Sequence, residues 1–332
     1  MNPSGSNPHS AVQPTSTLHA RASFRDYLAI ARPDHWIKNI FVLPGAALAI
    51  GLSPSVDWIS TFERVAVAII ASCLLASANY TINEWLDAET DRHHPIKKLR
   101  PAALGRMSAG FIYLQWFALG SLGLWLSWQL GRKFFLVAAI LLVMGIIYNV
   151  PPLRTKDRQY LDVLSESVNN PLRFMLGWTA VISALLPPSS ILIAYWMGGA
   201  YLMAVKRYSE YRFIGDPVRA GSYRLSFKTY TESSLLLSAI YYALTSALFL
   251  GVFLIKYRIE LLLTIPFLAL LFVWYLKIGM KHDSAAQKPE KLYKERSFML
   301  YVVAIGALFT TLLVVKIPWL DFLVNAHVLP VR

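Results

Sequence analysis

The amino-acid sequence predicts an all-α, polytopic membrane bundle of about nine transmembrane helices with cytoplasmic cap loops. Three observations carry this reading. The 332 residues are 56% hydrophobic and only 15% charged. Several uninterrupted apolar runs approach the ~20 residues that a helix needs to cross a bilayer. Lys and Arg gather on alternate connections between those runs, as the positive-inside rule requires. Such a composition sets soluble-domain readings aside.

Residues 1–22, rich in Ser, Pro, Asn and Thr and lacking an apolar core, read as a disordered tail, neither a signal peptide nor a span. Because this tail is free of acidic residues and carries Arg21, with Arg25 close behind, it also has the make-up of an organelle transit peptide. Residues 23–332 read as a single transmembrane domain. It begins with a short interfacial helix over 23–36 that turns Phe24, Tyr27, Leu28 and Ile30 toward lipid. Spans are expected at 38–52, 64–86, 111–130, 134–150, 166–186, 189–205, 233–255, 259–279 and 297–317, each boundary to within about four residues.

With that parity, most of the 32 basic residues fall on one side, from Arg32 and Lys38 through Arg100, Lys156, Lys206 and Arg224 to Lys294. The other side holds few, among them Arg64, Arg132, Lys133 and Arg258. The N-terminus is therefore expected in the cytoplasm, the C-terminus outside, and the protein in the plasma (inner) membrane. The net charge of +13 is spread over these loops, where topology alone would put it, so nucleic acid is not an expected partner. The single cysteine, Cys73, lies mid-span; intrachain disulfides and a thiolate metal cluster are excluded, and its expected role is packing.

The longest polar connections, 87–110, 206–232 and 280–296, all lie on the cytoplasmic side and suggest a lid over the bundle. Chemistry is expected there. Asn83, Asp87 and Asp91 are four residues apart at the end of the second apolar run, and on a helix they share one stripe able to converge on a divalent cation. Carboxylates near a bilayer are costly, which makes the stripe a candidate site. Lys97, Lys98 and Arg100 follow it. Oxygen ligands for Mg²⁺ beside cations for phosphate oxygens are what a diphosphate substrate requires. A helix end with scattered solvated charge is the bland alternative, and His93 and His94 are read as surface residues because a hard-cation site has no need of imidazole.

Three further segments carry unusual residues. Arg32-Pro33-Asp34-His35-Trp36-Ile37-Lys38-Asn39 sets cations and an indole at the mouth of the first span, and also suits an interface anchor. Tyr148 through Asp157 leads to Asp162, Glu166 and Arg173, an arginine at hydrocarbon depth that must face a partner or a wet cavity. Glu166, two turns earlier, can pair with it; equally, Arg173 can hold phosphate. Lys206-Arg207-Tyr208-Ser209-Glu210 ends the sixth span with cations where the helix dipole favours them.

At these residues the chain resembles the UbiA-type intramembrane prenyltransferase superfamily, whose nine-helix members carry Asn-x-x-x-Asp-x-x-x-Asp on the second helix. Most members ionise a prenyl diphosphate with Mg²⁺ between two Asp-rich motifs, the second after the sixth helix. Here the second place reads Lys206-Arg207-Tyr208-Ser209-Glu210, basic where the family is acidic. Together with Arg32-Pro33-x-x-Trp36-x-Lys38-Asn39 and His94-Pro95-x-Lys97-x-x-Arg100-Pro101, it is similar to the decaprenyl-phosphate phosphoribosyltransferase branch. That resemblance implies Mg²⁺-dependent transfer of 5-phosphoribose from phosphoribosyl diphosphate to a polyprenyl phosphate at the cytoplasmic face, for the cell wall.

The implied roles are metal binding by Asn83, Asp87 and Asp91, catalysis by Asp87, Asp91 and Lys206, and substrate binding by Lys38, Lys97, Arg100, Arg173, Arg207 and Glu210. Membrane lipid is a partner, and a homo-oligomer is compatible with the reading. Two departures stand out. Glu84 occupies a place where the family usually has Asp, and the Pro151-Pro152 loop is closer to aromatic or chlorophyll-type prenyltransferases. The alternative is thus prenyl transfer to an aromatic or tetrapyrrole acceptor. A transporter fits less well, because the polar residues crowd one face instead of the midplane, and a purely structural subunit has no use for the stripe.

Overall fold

The computed structural model describes residues 22–53, 55–92, 97–287 and 289–320. The tail, His93, His94 and the chain beyond Leu320 lie outside the described residues. Twelve α-helices and several 3₁₀ turns, with no strand among the described residues, make up the bundle. In order they are α1 (Phe24–Ile30), α2 (Leu43–Leu52), α3 (Trp58–Asp91), α4 (Ala109–Gln129), α5 (Arg132–Asn149), α6 (Leu161–Ser167), α7 (Asn169–Val181), α8 (Ser189–Ile214), α9 (Pro217–Tyr223), α10 (Glu232–Tyr257), α11 (Ile265–Gly279) and α12 (Arg296–Val314).

Every expected span is helical, but local chemistry redraws several. The interfacial helix stops at Ile30, where Arg32 turns left-handed (φ 51°) before Pro33. Residues 33–42 then wind as a 3₁₀ helix, and α2 starts only with Pro44 at its second position. A proline in a first turn lacks an N–H that would be unsatisfied anyway, so the α-helix begins there. The same device separates the 3₁₀ turn 259–264 from α11 at Pro266. The fifth span starts earlier than expected, at Leu161, and comprises α6 and α7, which meet at Val168, where the backbone stays right-handed helical (φ −60°, ψ −21°). The stretch 206–232, read from sequence as a loop, is largely helical, since α8 runs on to Ile214 and α9 and a 3₁₀ turn (Leu225–Lys228) follow.

By length and hydropathy, seven segments of the described residues suit a membrane crossing: Phe24–Leu52, α3, α4, α5, α10, Ile259–Gly279 and α12. The remaining two expected spans, α6–α7 and α8, are the ones that carry Asp162, Glu166, Arg173, Arg207 and Glu210. The least apolar helices are therefore those that bring polar groups into the bundle, and they sit inside it. Apolar residues cover the outside instead. On α4, Phe111, Leu114, Phe117, Trp125 and Trp128 are exposed, as are Leu237, Leu244 and Leu248 on α10. In water such surfaces would be liabilities; against lipid they are the contact face.

Three apolar clusters hold the helices. One joins α3, α5 and α7 around Leu75, Phe134, Leu141 and Leu176, with Leu124 and Leu126 of α4 packed against it. A second joins α6, α8, α10, α11 and α12 around Tyr201, Tyr242, Tyr275 and Phe298. Phe174, Trp178, Phe253 and Leu254 bridge the two. The tightest crossing is α2 against α7. A Cβ on Gly45 would lie 1.9 Å from the Phe174 carbonyl oxygen, and one on Gly177 the same distance from that of Val42. Small residues of this kind let helix backbones meet in lipid, where packing replaces the hydrophobic drive for association.

Gly177→Val should therefore force α2 and α7 apart and destabilise the protein by about 1–3 kcal/mol, the usual cost of overpacking. Thermal unfolding in detergent checks this. Gly251→Val, where a Cβ meets nothing within 4 Å, should change the midpoint little; equal effects at both positions would contradict the crossing.

Candidate active site at one end of the bundle

The stripe forms because α3 continues past its apolar stretch without a break until Asp91. One turn separates each pair of Asn83, Asp87 and Asp91, so the three side chains follow one edge. Each meets a partner from another element. The Asn83 amide donates to Asn149 Oδ1 at the end of α5. Asp87 Oδ1 accepts from Lys156 Nζ (2.5 Å) and Arg154 Nη2 (3.0 Å), both on the loop after α5. Asp91, buried, accepts from Arg100 Nη1 at 2.7 Å. Lys156 also donates to Asn149 Oδ1 at 3.0 Å, and Arg154 Nε to Asp157 at 2.7 Å.

Lys156 is itself buried. Burial pushes its ammonium below the usual lysine range, and the adjacent Asp87 carboxylate pulls it back. The loop thus brings two cations onto the oxygen that the sequence assigns to a metal. Sequence reasoning marked the Tyr148–Asp157 segment but gave Asn149, Arg154 and Lys156 no role. Their partners on the stripe, Asn83 for Asn149 and Asp87 for Arg154 and Lys156, are 66 to 69 residues away in the chain, a separation that leaves no periodic signal.

Whether the stripe suits Mg²⁺ is a matter of donor chemistry. Two carboxylates and an amide are hard oxygen donors of the right kind. No group of three His, Cys, Asp or Glu converges for a metal among the described residues, so the amide oxygen of Asn83 or oxygens of a ligand must complete the set. Glu84, next to the stripe, is buried with one carboxylate oxygen unpartnered. The donors fit a cation shared with an anionic ligand better than one caged by protein alone.

The second cluster centres on Arg207, whose side chain is 1% exposed. Glu166 Oε2 lies 2.8 Å from its Nη2, Glu210 Oε2 3.1 Å from Nη1 and Asp162 Oδ2 3.4 Å from Nε. Tyr148 donates its hydroxyl to Glu166 at 3.0 Å. Lys206 stands apart, 21% exposed and 4.0 Å from Glu210. Lys38 acts electrostatically on both Glu166 and Lys206, which puts it at this cluster. The basic pair Lys206-Arg207 thus sits in acidic surroundings invisible in its own segment, because Asp162 and Glu166 come from α6.

Arg173 and Glu166 do not pair with each other. Glu166 is taken by Arg207 from α8, a partner that helical spacing cannot reveal. Buried Arg173 instead donates Nε to Asn39 Oδ1 at 2.8 Å and Nη1 to the Asn169 carbonyl at 3.4 Å. Asn39 in turn donates to Cys73 Sγ at 3.2 Å, so the cysteine packs and accepts a hydrogen bond as well. Trp36 hydrogen-bonds Ser77 at 2.8 Å, tying the first segment to α3. Of the expected phosphate-binding cations, the Lys97 side chain lies outside the described residues.

These geometries order the cations by how firmly each is engaged. Arg207→Ala would strand the buried Asp162 carboxylate and take the shared cation from the partly exposed Glu166 and Glu210, and should cost about 3–5 kcal/mol, as loss of one partner of a buried ion pair does. Lys206→Ala, removing a partly exposed group with one long contact, should cost below about 1 kcal/mol. Thermal midpoints in detergent test the contrast; similar small shifts would remove Arg207 from the centre of the cluster.

Comparison with known proteins bears on the arrangement. Residues 39–303 match the model of the UbiA prenyltransferase family. Over 206 residues the chain is 32% identical to a decaprenyl-phosphate phosphoribosyltransferase of Mycolicibacterium smegmatis, covering 61% of this chain and 62% of that one. A protein of the same name from Corynebacterium glutamicum is 32% identical over 181 residues, 54% of this chain and 52% of that one. The chain thus spans about three-fifths or less of the length of these relatives. In fold it is similar to a UbiA homologue from Archaeoglobus fulgidus solved with GPP and Mg²⁺, at a TM-score of 0.65 and 22% identity, covering 87% of this chain and 98% of that one.

Proposed function

Because this chain belongs to the UbiA prenyltransferase family, we propose that it is a membrane-embedded transferase that moves 5-phosphoribose from phosphoribosyl diphosphate to a polyprenyl phosphate at the cytoplasmic face, releasing diphosphate. The observation that carries this is the pairing of an oxygen stripe with an unusual density of cations. Arg100, Arg154 and Lys156 stand on the stripe's own carboxylates, and Lys38, Lys206 and Arg207 gather at the second cluster. A reaction between two phosphorylated molecules needs anion-binding capacity at both ends. The relatives named for phosphoribosyl transfer support the same choice.

In this scheme Mg²⁺ held by Asn83, Asp87 and Asp91 supplies neutralising charge to the donor's diphosphate. Arg100 and Lys97 take up the negative charge that grows on the departing group, a role in which preorganised cations outdo water. Lys156 and Arg154, now on Asp87, are within reach of any diphosphate drawn to that carboxylate's edge and can transfer their hydrogen bonds to it. Lys206, the loosely paired cation, receives the lipid phosphate together with Lys38, while Arg207 holds Glu166 and Glu210 so that the lysine stays available. Arg173, held by Asn39, is the remaining buried cation, in reserve for a phosphate oxygen. A phosphate nucleophile is anionic at neutral pH, so attack at the anomeric carbon needs no general base.

One observation favours the second reading, prenyl transfer to an aromatic or tetrapyrrole acceptor. Asp162, Glu166 and Glu210 are carboxylates at the place where many family members carry their second acidic motif. Here, however, Arg207 is buried among them and occupies the side that a second metal would need.

Purified protein given labelled phosphoribosyl diphosphate and a polyprenyl phosphate should move label into the lipid phase only with Mg²⁺. Asp87→Ala should lower the rate at least about a hundredfold, the loss typical of removing one preorganised stabilising group. The lipid product should be inverted at the anomeric carbon; a retained anomer would rule out direct displacement. Label from a prenyl diphosphate appearing in an aromatic product, with none from phosphoribosyl diphosphate, would establish the second reading instead.

A further inference from the structure

Phosphoribosyl diphosphate is anionic at two separated ends, and the cations assigned above account for its diphosphate and for the acceptor's phosphate. Nothing among them takes the sugar's 5-phosphate. The segment between α8 and α10 supplies a candidate. Residues 216–231 form α9 and the following 3₁₀ turn and lie over the second cluster. There Asp162, fully buried at the start of α6, accepts from Ser226 Oγ (3.1 Å) and from Tyr230 Oη (2.8 Å). The Tyr230 oxygen also accepts from the Tyr160 backbone N–H at 2.6 Å. An aromatic cluster of Tyr208, Phe227 and Tyr230, with Tyr211 and Tyr223 against it, seals the segment. The turn 225–228 touches the turn 155–157 that bears Lys156.

Arg224 sits at the junction of α9 and that turn, with an extended backbone (φ −149°, ψ 126°). Its Nε is buried and has no hydrogen-bond partner, and no carboxylate among the described residues lies within ion-pair distance of its guanidinium. Arg207, by contrast, holds three. The groups in its field are Arg207, Tyr148, Glu210 and Asp162, and its neighbour Tyr223 feels both Glu210 and the stripe's Arg100. Arg224 therefore lies beside Arg207 at the second cluster. A guanidinium has five donors. Leaving them partly buried and unpaired next to another arginine is expensive, unless an anion arrives to take them.

We propose that Arg224 binds the 5-phosphate of the sugar donor, so that the donor is gripped at its two ends and the capping segment 216–231 selects a phosphorylated sugar. This rests on phosphoribosyl diphosphate being the donor. A planar fork of donors suits a terminal phosphate monoester, which offers three oxygens. Asp162 acts as the anchor of the cap that carries the arginine.

The test uses the full chain in detergent, titrated separately with ribose 5-phosphate and with inorganic diphosphate plus Mg²⁺, for wild type, Arg224→Gln and Arg224→Lys. Arg224→Gln should weaken ribose 5-phosphate by at least about tenfold, as loss of a charge-assisted pair does, and leave inorganic diphosphate unchanged. Arg224→Lys should recover part of the loss, and also serves if the glutamine variant does not fold. In turnover, KM for phosphoribosyl diphosphate should rise with little change in kcat. Ribose 5-phosphate binding that is unchanged, or lost in equal measure with diphosphate, would overturn the assignment. If wild type transfers phosphoribose while the variants keep its KM, only the role of Arg224 falls. If wild type binds no ribose 5-phosphate and transfers only from a prenyl diphosphate, the donor itself was misread.

Discussion

A guanidinium that is 1% exposed inside a bundle of membrane helices is the constraint around which the polar end of this protein is organised. Removing a charge from water costs several kcal/mol even after relaxation, and only well-placed anions offset it. Arg207 meets that demand with Glu210 from its own helix and with Asp162 and Glu166 from α6. The consequences propagate. Because α6 delivers two carboxylates to α8, the face it turns toward that helix is polar, while α7, reached through the helical Val168, carries Arg173 to Asn39. Because Asp162 has oxygens to spare, it anchors the cap through Ser226 and Tyr230. One buried cation thus ties together three segments that the sequence lists separately.

The stripe on α3 obeys the complementary logic. Here the carboxylates belong to the rigid helix and the cations to the connections, Arg100 after α3 and Arg154 and Lys156 after α5. Fixed anions facing cations on loops make a site that can exchange partners, since a loop surrenders a hydrogen bond more easily than a helix moves. Fixed cations amid fixed anions, as at Arg207, make an anchor. The two clusters differ in mobility more than in charge, and that difference suits one to the chemistry of a departing group and the other to holding shape.

Much of this was legible from residue spacing. The repeat of four that aligns Asn83, Asp87 and Asp91 is a property of one helix, and the structure keeps all three on α3. The resemblance of Arg32–Asn39 and Lys206–Glu210 to a family pattern is likewise local; the family match over residues 39–303 spans the second segment and reaches only Asn39 of the first. What could not be read were pairings between elements. The sequence places Glu166 two turns before Arg173 and suggests a bond between them; folding gives Glu166 to an arginine 41 residues further on. The cap, too, looked like a loop because its Gly215, Pro217 and polar residues mask two short helical turns that are stable only against α6 and α8.

By itself the sequence determined a membrane-spanning all-α protein and the helical alignment of Asn83, Asp87 and Asp91, because hydropathy and helical periodicity are short-range quantities. Only the tertiary structure decided which cations meet which anions: Lys156 and Arg154 on Asp87, Arg100 on Asp91, Arg207 among three acids, and Arg224 beside it with a buried Nε left without a partner. The reason is physical. Electrostatic partners in a low-dielectric bundle are set by which helices pack together, and packing here turns on close contacts such as Gly45 against Phe174 and Gly177 against Val42, whose partners lie far apart in the chain.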